Sequence, residues 1–220
     1  YHGSPYKRVP DYMIKSYFMI QPMQRFYALV PAGPILYSVG GKLAPVEDAV
    51  KAGTLDRNQV KVTYANGAET AVNLHDKDNF QVKLHDREFL LPPNGFAFYL
   101  PGKGLSYSML IDGKRADLTQ TADFFYADNF GTPRQTEFLT ASEAYIVRPE
   151  NNQLKVIPAP FRKAETIRLD LSAFPQIIAG REITVTALDI HGNTLKAETI
   201  PYQRDLELKI TGEAFTLALK

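Results

Sequence analysis

Four aspartates within segment 112–128 are the residues of this chain best suited to do chemistry. Hydrolysis of a glycosidic bond needs two carboxyl groups that face each other across a sugar, about 5–9.5 Å apart. Two of the four, however, stand in Asp-Gly and Asp-Asn dipeptides, which are typical of turns where Asp accepts local backbone hydrogen bonds. The four residues are Asp112, Asp117, Asp123 and Asp128, and a glycosidase would use the region of Asp117 and Asp123.

Other reactive groups are sparse. The four histidines are His2, His75, His85 and His191, and no two of them have the spacing of metal ligands on one helix or strand. The chain has no G-x-S-x-G elbow and no phosphate-binding P-loop. Calcium binding by the oxygen-rich loop 123–131 is a further alternative, although its spacing matches no EF-hand. We therefore predict no cofactor and no metal centre.

Aromatic residues offer a different function, the stacking of sugar rings on exposed side chains. The candidates for a stacking platform are Tyr99, Tyr107, Phe124 and Tyr126. Because alternate residues of a strand point to opposite faces, Phe124 and Tyr126 are expected to share one face. Packing of these rings in a core is the competing interpretation.

Composition excludes several classes of protein. The chain has 220 residues, of which 45% are hydrophobic, and its net charge is +1 from 25 basic and 24 acidic residues. This near-neutral balance gives no basic field for nucleic acid. The absence of cysteine excludes a disulfide framework, a thiol nucleophile and a cysteine–zinc site. No apolar run is long enough to span a bilayer, and the start shows no signal peptide. The chain begins with Tyr and not with Met, so we expect a mature or excised piece of a longer polypeptide.

The first segment, 1–58, is predicted to be helical and to lead into the rest. Residues 11–30 are apolar around most of the helix circumference, which is typical of a helix buried on several sides. Asp11 is expected to cap this helix, and Pro22 is expected to kink or split it. A second short helix is predicted at 45–52.

From Gln59 onward the pattern changes to the period of two that is typical of strands. In segment 59–160, strands recur between turn residues, which predicts an antiparallel β-sandwich. Its clearest hairpin turns at Asn66-Gly67, where a type I′ turn is expected.

A rigid corner, Pro92-Pro93-Asn94-Gly95, stands between two apolar strands of this domain. The prolines fix φ and remove backbone donors, and Gly95 is expected to take a positive φ. Such a corner would place both flanking strands accurately against a facing sheet.

The last segment, 161–220, is predicted to be a small immunoglobulin-like β-sandwich. Residues 158–165 contain two prolines and mixed charge, and form the candidate linker before it. His191-Gly192-Asn193 is expected to make a hairpin turn. The fold class expected for the whole chain is mainly β: an antiparallel β-sandwich with an N-terminal helix, then the small sandwich.

Several segments of the chain resemble the C-terminal region of many bacterial glycoside-hydrolase-like polypeptides. There, a (β/α)8 catalytic barrel ends in an aromatic-rich helix, and a β-sandwich follows with a Val-x-Tyr-x-Asn-Gly hairpin, a Val-Asn strand and a Leu-Pro-Pro-x-Gly corner. Residues 59–100 carry the resemblance most specifically. The matching positions are Val62, Tyr64, Asn66, Gly67, Val72, Asn73, Val82, Leu91, Pro92, Pro93 and Gly95.

The resemblance implies a non-catalytic accessory module that supports a glycoside hydrolase domain. Its partner would be the catalytic domain of the same polypeptide or another polypeptide, and its location periplasmic or secreted. No catalytic residue is carried over, because the acids of those enzymes lie on the barrel. The alternatives are a carbohydrate-binding module with a polysaccharide ligand and, more remotely, the aspartate-dependent glycosidase.

Overall fold

A computed structural model of the chain describes residue 13 and residues 15–159, 164–175, 180–211 and 214–220. Asp11, His2 and residues 160–163, which are half of the predicted linker, lie outside these residues. The chain forms two compact units, Tyr1–Ala122 and Asp123–Lys220. In the described part of the chain, no helix is long and apolar enough to cross a membrane.

The predicted N-terminal helix changes its winding at Pro22. A π-helical turn, Ser16–Ile20, is followed directly by the α-helix α1, Gln21–Tyr27, in which Pro22 occupies the first turn. Proline has no N–H to donate to the preceding turn, so a change of helical hydrogen bonding at this point is expected. The second predicted helix is also present, as α2, Val46–Lys51.

Unit 1 contains one large antiparallel sheet and one separate hairpin. The large sheet has the strand order β9-β8-β7-β4-β3-β1-β2, and β5 pairs only with β6. The strands are β1 Ala32–Val39, β2 Lys42–Ala44, β3 Gln59–Tyr64, β4 Glu69–Asn73, β5 Phe80–Leu84, β6 Arg87–Leu91, β7 Gly95–Leu100, β8 Gly104–Ile111 and β9 Lys114–Thr121.

The two faces of the large sheet are covered by different elements. Ala97 pairs with Tyr107, so both lie on one face, where the Phe89 ring of β6 lies 6.1 Å from the Tyr107 ring. Phe98 points to the opposite face, where it packs with Met23 of α1 in a buried cluster. The hairpin and the helix are therefore the two outer layers around the sheet.

Turns were predicted at Asp112-Gly113 and at Asn66-Gly67, and the structure bears out the first but not the type expected for the second. Asp112 and Gly113 both have positive φ, 53° and 72°, as a type I′ turn between β8 and β9 requires. At the β3–β4 hairpin only Gly67 has positive φ, 85°, and its N–H donates to Tyr64 O. This connection is a three-residue loop with Gly67 in the left-handed region, and the type I′ expectation is corrected.

Unit 2 is built from two antiparallel sheets. One has the order β17-β16-β19-β14-β13-β10, and the other has the order β11-β12-β15-β18. The strands are β10 Phe125–Asp128, β11 Arg134–Thr136, β12 Leu139–Ala141, β13 Tyr145–Glu150, β14 Gln153–Pro158, β15 Glu165–Asp170, β16 Glu182–Leu188, β17 Thr194–Pro201, β18 Asp205–Ile210 and β19 Thr216–Leu219.

The strands after residue 161 do not pair among themselves alone. β15 pairs with β12, and β19 pairs with β14, so strands from both sides of the expected 160/161 boundary share each sheet. The strand pairing therefore does not follow the predicted division into 59–160 and 161–220. As domain boundaries, these limits remain a prediction. The physical reason is that period-two alternation identifies a strand but not its neighbour.

The mainly β class with antiparallel sheets and an N-terminal helix is confirmed. The hairpin turn predicted at residues 191–193 is present between β16 and β17, where Gly192 has a φ of 82°. In this turn the Asp189 carboxylate accepts hydrogen bonds from the N–H groups of His191 and Asn193, each at 2.8 Å.

Candidate functional site

Asp117, on which the glycosidase hypothesis depends, lies in the interior of unit 1. It is in the middle of β9 and is buried, and its carboxylate forms an ion pair with the amino group of Lys15, itself buried. Ser108 Oγ donates a hydrogen bond to Asp117 Oδ1 at 2.6 Å, and Arg115 Nε lies 3.9 Å from the same oxygen. This carboxylate therefore holds the N-terminal helix on the sheet and is not presented to a substrate.

The other three aspartates of segment 112–128 have separate surroundings. Asp112 is an exposed turn residue, and Asp123 is exposed at the start of unit 2. Asp128 is buried, and its Oδ1 accepts a hydrogen bond from the N–H of Phe130 at 2.9 Å. Two of the four carboxylates thus have the local turn roles expected from their dipeptides.

Titratable groups elsewhere in the described residues also serve the fold. His75 Nδ1 accepts hydrogen bonds from the backbone N–H groups of Lys77 and Asp78, and His85 Nε2 lies 2.7 Å from Gly67 O. Burial, and then the nearby Glu165 carboxylate, raises the pKa of Tyr145. Among these residues, no group of three or more His, Asp or Glu side chains is placed to hold a metal ion.

The four aromatic candidates do not share one surface. Tyr107 is 9% exposed and Tyr126 is 0% exposed, so neither offers a ring face to solvent. Phe124 and Tyr99 are half-buried. All four residues of β10 are buried. Both faces of this strand are therefore covered, and alternation along it does not produce an exposed face.

Tyr99 is the candidate whose surroundings have the character of a binding site. Its ring lies beneath the guanidinium of Arg87, 5.0 Å from the ring centroid, and the His85 ring approaches it edge-on at 5.6 Å. A depression of about 290 Å³ opens beside it in unit 1, and its rim includes Lys103 and Gln120.

Asn73 of the Val-Asn strand links several motif residues by hydrogen bonds. Its side-chain amide donates to Leu91 O at 2.8 Å and to Asp78 O at 2.9 Å. Its Oδ1 accepts from Gln59 Nε2 at 3.2 Å. Since Asn73 is fully buried, it joins β4 to the strand that leads into the Pro-Pro corner. The sequence motif is thus a structural device.

Replacing Asn73 by alanine is expected to lower the free energy of unfolding by about 2 kcal/mol, because the carbonyls of Leu91 and Asp78 lose a buried donor. Urea unfolding followed by circular dichroism measures the change. The matched control is Asn66→Ala, which removes an exposed motif asparagine bonded to Phe26 O and should cost under about 1 kcal/mol. Equal losses in both variants would contradict the assigned role.

The Pro-Pro corner connects β6 of the hairpin to β7 of the large sheet, and Arg115 donates hydrogen bonds to it. Nη1 of Arg115 donates to Pro93 O at 3.3 Å and Nη2 donates to Asn94 O at 3.1 Å. Asn94 takes the positive φ, 57°, which corrects the expectation for Gly95. Glycine is needed at 95 for space, since a Cβ atom there would lie 2.7 Å from Pro92 O and 2.8 Å from Ser108 O.

Sequence reasoning missed Lys15, Ser108 and Arg115 as members of this buried polar network. One signal was available: Lys15 is a charge within a run of apolar residues on a helix predicted to be buried. A buried amino group needs a carboxylate partner, and Asp117 was one of the acids that no turn dipeptide explained.

The N-terminal helix leaves part of its apolar surface uncovered. Met19 and Met23 are buried against the sheet. Met13, Tyr17 and Ile20, which follow one another at helical spacing on another side, are 68%, 60% and 42% exposed. This second side is called the outer helix face below.

The chain matches no protein-family model, no curated protein and no solved structure. Its function is therefore argued from its own residues: a polar network that stabilises the fold, an uncovered apolar helix face, and a basic depression beside Tyr99.

Proposed function

We propose that this chain is a non-catalytic β accessory module of a bacterial carbohydrate-active enzyme, and that it supports a glycoside hydrolase catalytic domain. The single observation that carries the proposal is the outer helix face. A soluble protein gains free energy by burying such side chains, about 1.5–3 kcal/mol for each large one. A neighbouring domain of the same polypeptide is the occupant that fits best, because an aromatic-rich helix joins the barrel to the sandwich in the proteins that this chain resembles.

The internal chemistry of unit 1 supports the same conclusion. The side chains that would be catalytic candidates are engaged in the fold: Asp117 with Lys15 and Ser108, and Arg115 with the corner carbonyls. The motif residues that resemble the closing region of glycoside-hydrolase-like proteins, such as Asn73, are likewise used for hydrogen bonds between layers. Secretion or a periplasmic location belongs to the same proposal.

The outer helix face gives the decisive experiment. The reading frame that encodes this chain is expected to encode a (β/α)8 domain before Tyr1. In that complete polypeptide, Tyr17→Glu with Ile20→Glu should lower the temperature at which hydrolase activity is lost by several degrees, because carboxylates would be forced into an apolar interface. In this chain alone the same pair should change the free energy of unfolding by less than about 0.5 kcal/mol.

The matched control places a carboxylate on exposed apolar residues of unit 2. Ile190→Glu with Leu195→Glu adds the same charge at residues that are 69% and 52% exposed, and it should leave the inactivation temperature unchanged. A reading frame without a catalytic domain would refute the proposal. So would helix-face variants that inactivate at the same temperature as the unmodified polypeptide.

A second candidate function is carbohydrate binding, and the depression beside Tyr99 favours it. Of the four residues predicted to stack sugars, Tyr99 alone lines that depression. The stacking platform of four aromatic candidates is replaced here by one ring, Tyr99, with cationic neighbours.

A further inference from the structure

The charged side chains that line the depression beside Tyr99 are all positive. Its rim carries two cationic side chains, Arg87 and Lys103, and none of the described residues that line it has a carboxylate. Within the described part of the chain, no carboxylate lies at salt-bridge distance from either cation. Other basic residues of the same unit do have carboxylate partners, as Lys61 has in Glu69 at 2.9 Å. Two unpaired cations on one small rim make this a place where an anion is attracted.

Arg87 is held in an orientation suited to an anion that presents two oxygens side by side. Its guanidinium carbon lies over the Tyr99 ring, 5.0 Å from the centroid, and such a cation–π contact favours a stacked guanidinium. A stacked guanidinium keeps its N–H groups at the edge of its plane. From there it can donate two parallel hydrogen bonds to a carboxylate or a sulfate.

Lys103 is positioned by a tight turn between β7 and β8. Its backbone N–H donates to Leu100 O at 3.0 Å, and Gly102 has a φ of 70°. The turn is anchored by the next residue, Gly104, which is buried against Met23 and Phe26 of α1. The ammonium is thus attached to a fixed backbone on the rim.

Neutral hydrogen-bonding groups complete the depression. The Tyr99 hydroxyl and the Gln120 amide have no hydrogen-bond partner among the described residues. Both are half-buried and line the same depression as the two cations. A ligand that carries hydroxyl groups next to an acidic group can therefore be bound by all four side chains. A volume of about 290 Å³ is at the small end of ligand sites.

We propose that this depression binds one acidic sugar unit of a polysaccharide, with the carboxylate or sulfate on Arg87 and Lys103 and the sugar hydroxyls on Tyr99 and Gln120. The choice of a saccharide among anions rests on the carbohydrate context of the proposed function. The net charge of +1 means that the chain has no general attraction for polyanions, so binding must depend on the site itself.

Affinity electrophoresis of the purified chain tests the site. Gels that contain polygalacturonate, alginate or a sulfated galactan are compared with gels that contain a neutral galactan or mannan. At least one acidic polysaccharide should retard the chain, and the neutral ones should not. Arg87→Gln and Lys103→Gln should each weaken the interaction about ten-fold or more. Added salt should weaken it as well, because the contacts are exposed.

The matched control is Lys42→Gln, which removes the same charge from an exposed residue of β2 and should bind like the unmodified chain. Equal weakening in the control, no retardation by any acidic polysaccharide, or equal retardation by neutral ones would overturn the inference. Equal retardation by polyglutamate would overturn the choice of a saccharide. Arg87→Gln should also leave the inactivation temperature of the complete polypeptide unchanged, so failure here is distinguishable from failure of the proposed function.

Discussion

Replacing Asp117 by alanine is expected to lower the free energy of unfolding of this chain by about 3–5 kcal/mol, which is the usual cost of removing one partner of a buried ion pair. The Lys15 ammonium, whose side chain is 7% exposed, would remain in the interior without its carboxylate. Ser108 would lose its hydrogen-bond acceptor at the same time. Urea unfolding, followed by circular dichroism, measures the loss.

Two further variants separate the charge from other effects. Asp76→Asn, at a carboxylate whose side chain is 76% exposed, should change the free energy of unfolding by less than about 0.5 kcal/mol. Lys15→Met combined with Asp117→Leu removes both charges and should recover part of the loss, because apolar residues can replace a buried pair. If Asp117→Ala proves as stable as the unmodified chain, the ion pair does not hold the helix.

Gly95→Ala is expected to lower the free energy of unfolding by about 3 kcal/mol, at the upper end of the range for overpacking. The added Cβ would lie within 2.8 Å of two backbone carbonyl oxygens, Pro92 O and Ser108 O. Neither can move easily, because proline restrains the first and the β7–β8 ladder restrains the second. Thermal and urea unfolding both report the change.

The control for this prediction is a glycine with conformational strain but open space. Gly53 has a φ of 63° and nothing within 4 Å of its would-be Cβ, so Gly53→Ala should cost only about 1 kcal/mol for the left-handed conformation. A larger loss at Gly53 than at Gly95 would show that backbone angle, and not space, explains the corner.

The local features of this fold could be predicted because each depends on neighbouring residues. The run of apolar residues located α1, the proline and acidic residues of its first turn located α2, and turn chemistry located Asp112-Gly113. Strands β1 and β2 were missed, because they lie in the segment predicted to be helical. The Pro-Pro corner was correctly identified as a connection between two strands, but the reason for Gly95 was not, because crowding by Ser108 O comes from a strand that follows it in the chain.

Features that depend on distant residues could not be predicted in the same way. The pairing of β12 with β15 and of β14 with β19 joins segments that the composition had divided. The candidate site shows the same limit. Tyr99 was selected as an aromatic, but Arg87 and Lys103 became relevant only when the hairpin and the β7–β8 turn were seen on one rim.

The ion pair between the helix and the sheet also bears on how the chain is made. Its two members, Lys15 and Asp117, are 102 residues apart. At a ribosomal rate of about 5–20 residues per second, Asp117 is synthesised roughly 5–20 seconds after Lys15. During that interval the sheet that buries the apolar residues of the helix is incomplete. Contacts so distant in sequence also slow the search for the native topology. Nascent unit 1 is therefore expected to expose the apolar residues of its helix until its last strand emerges.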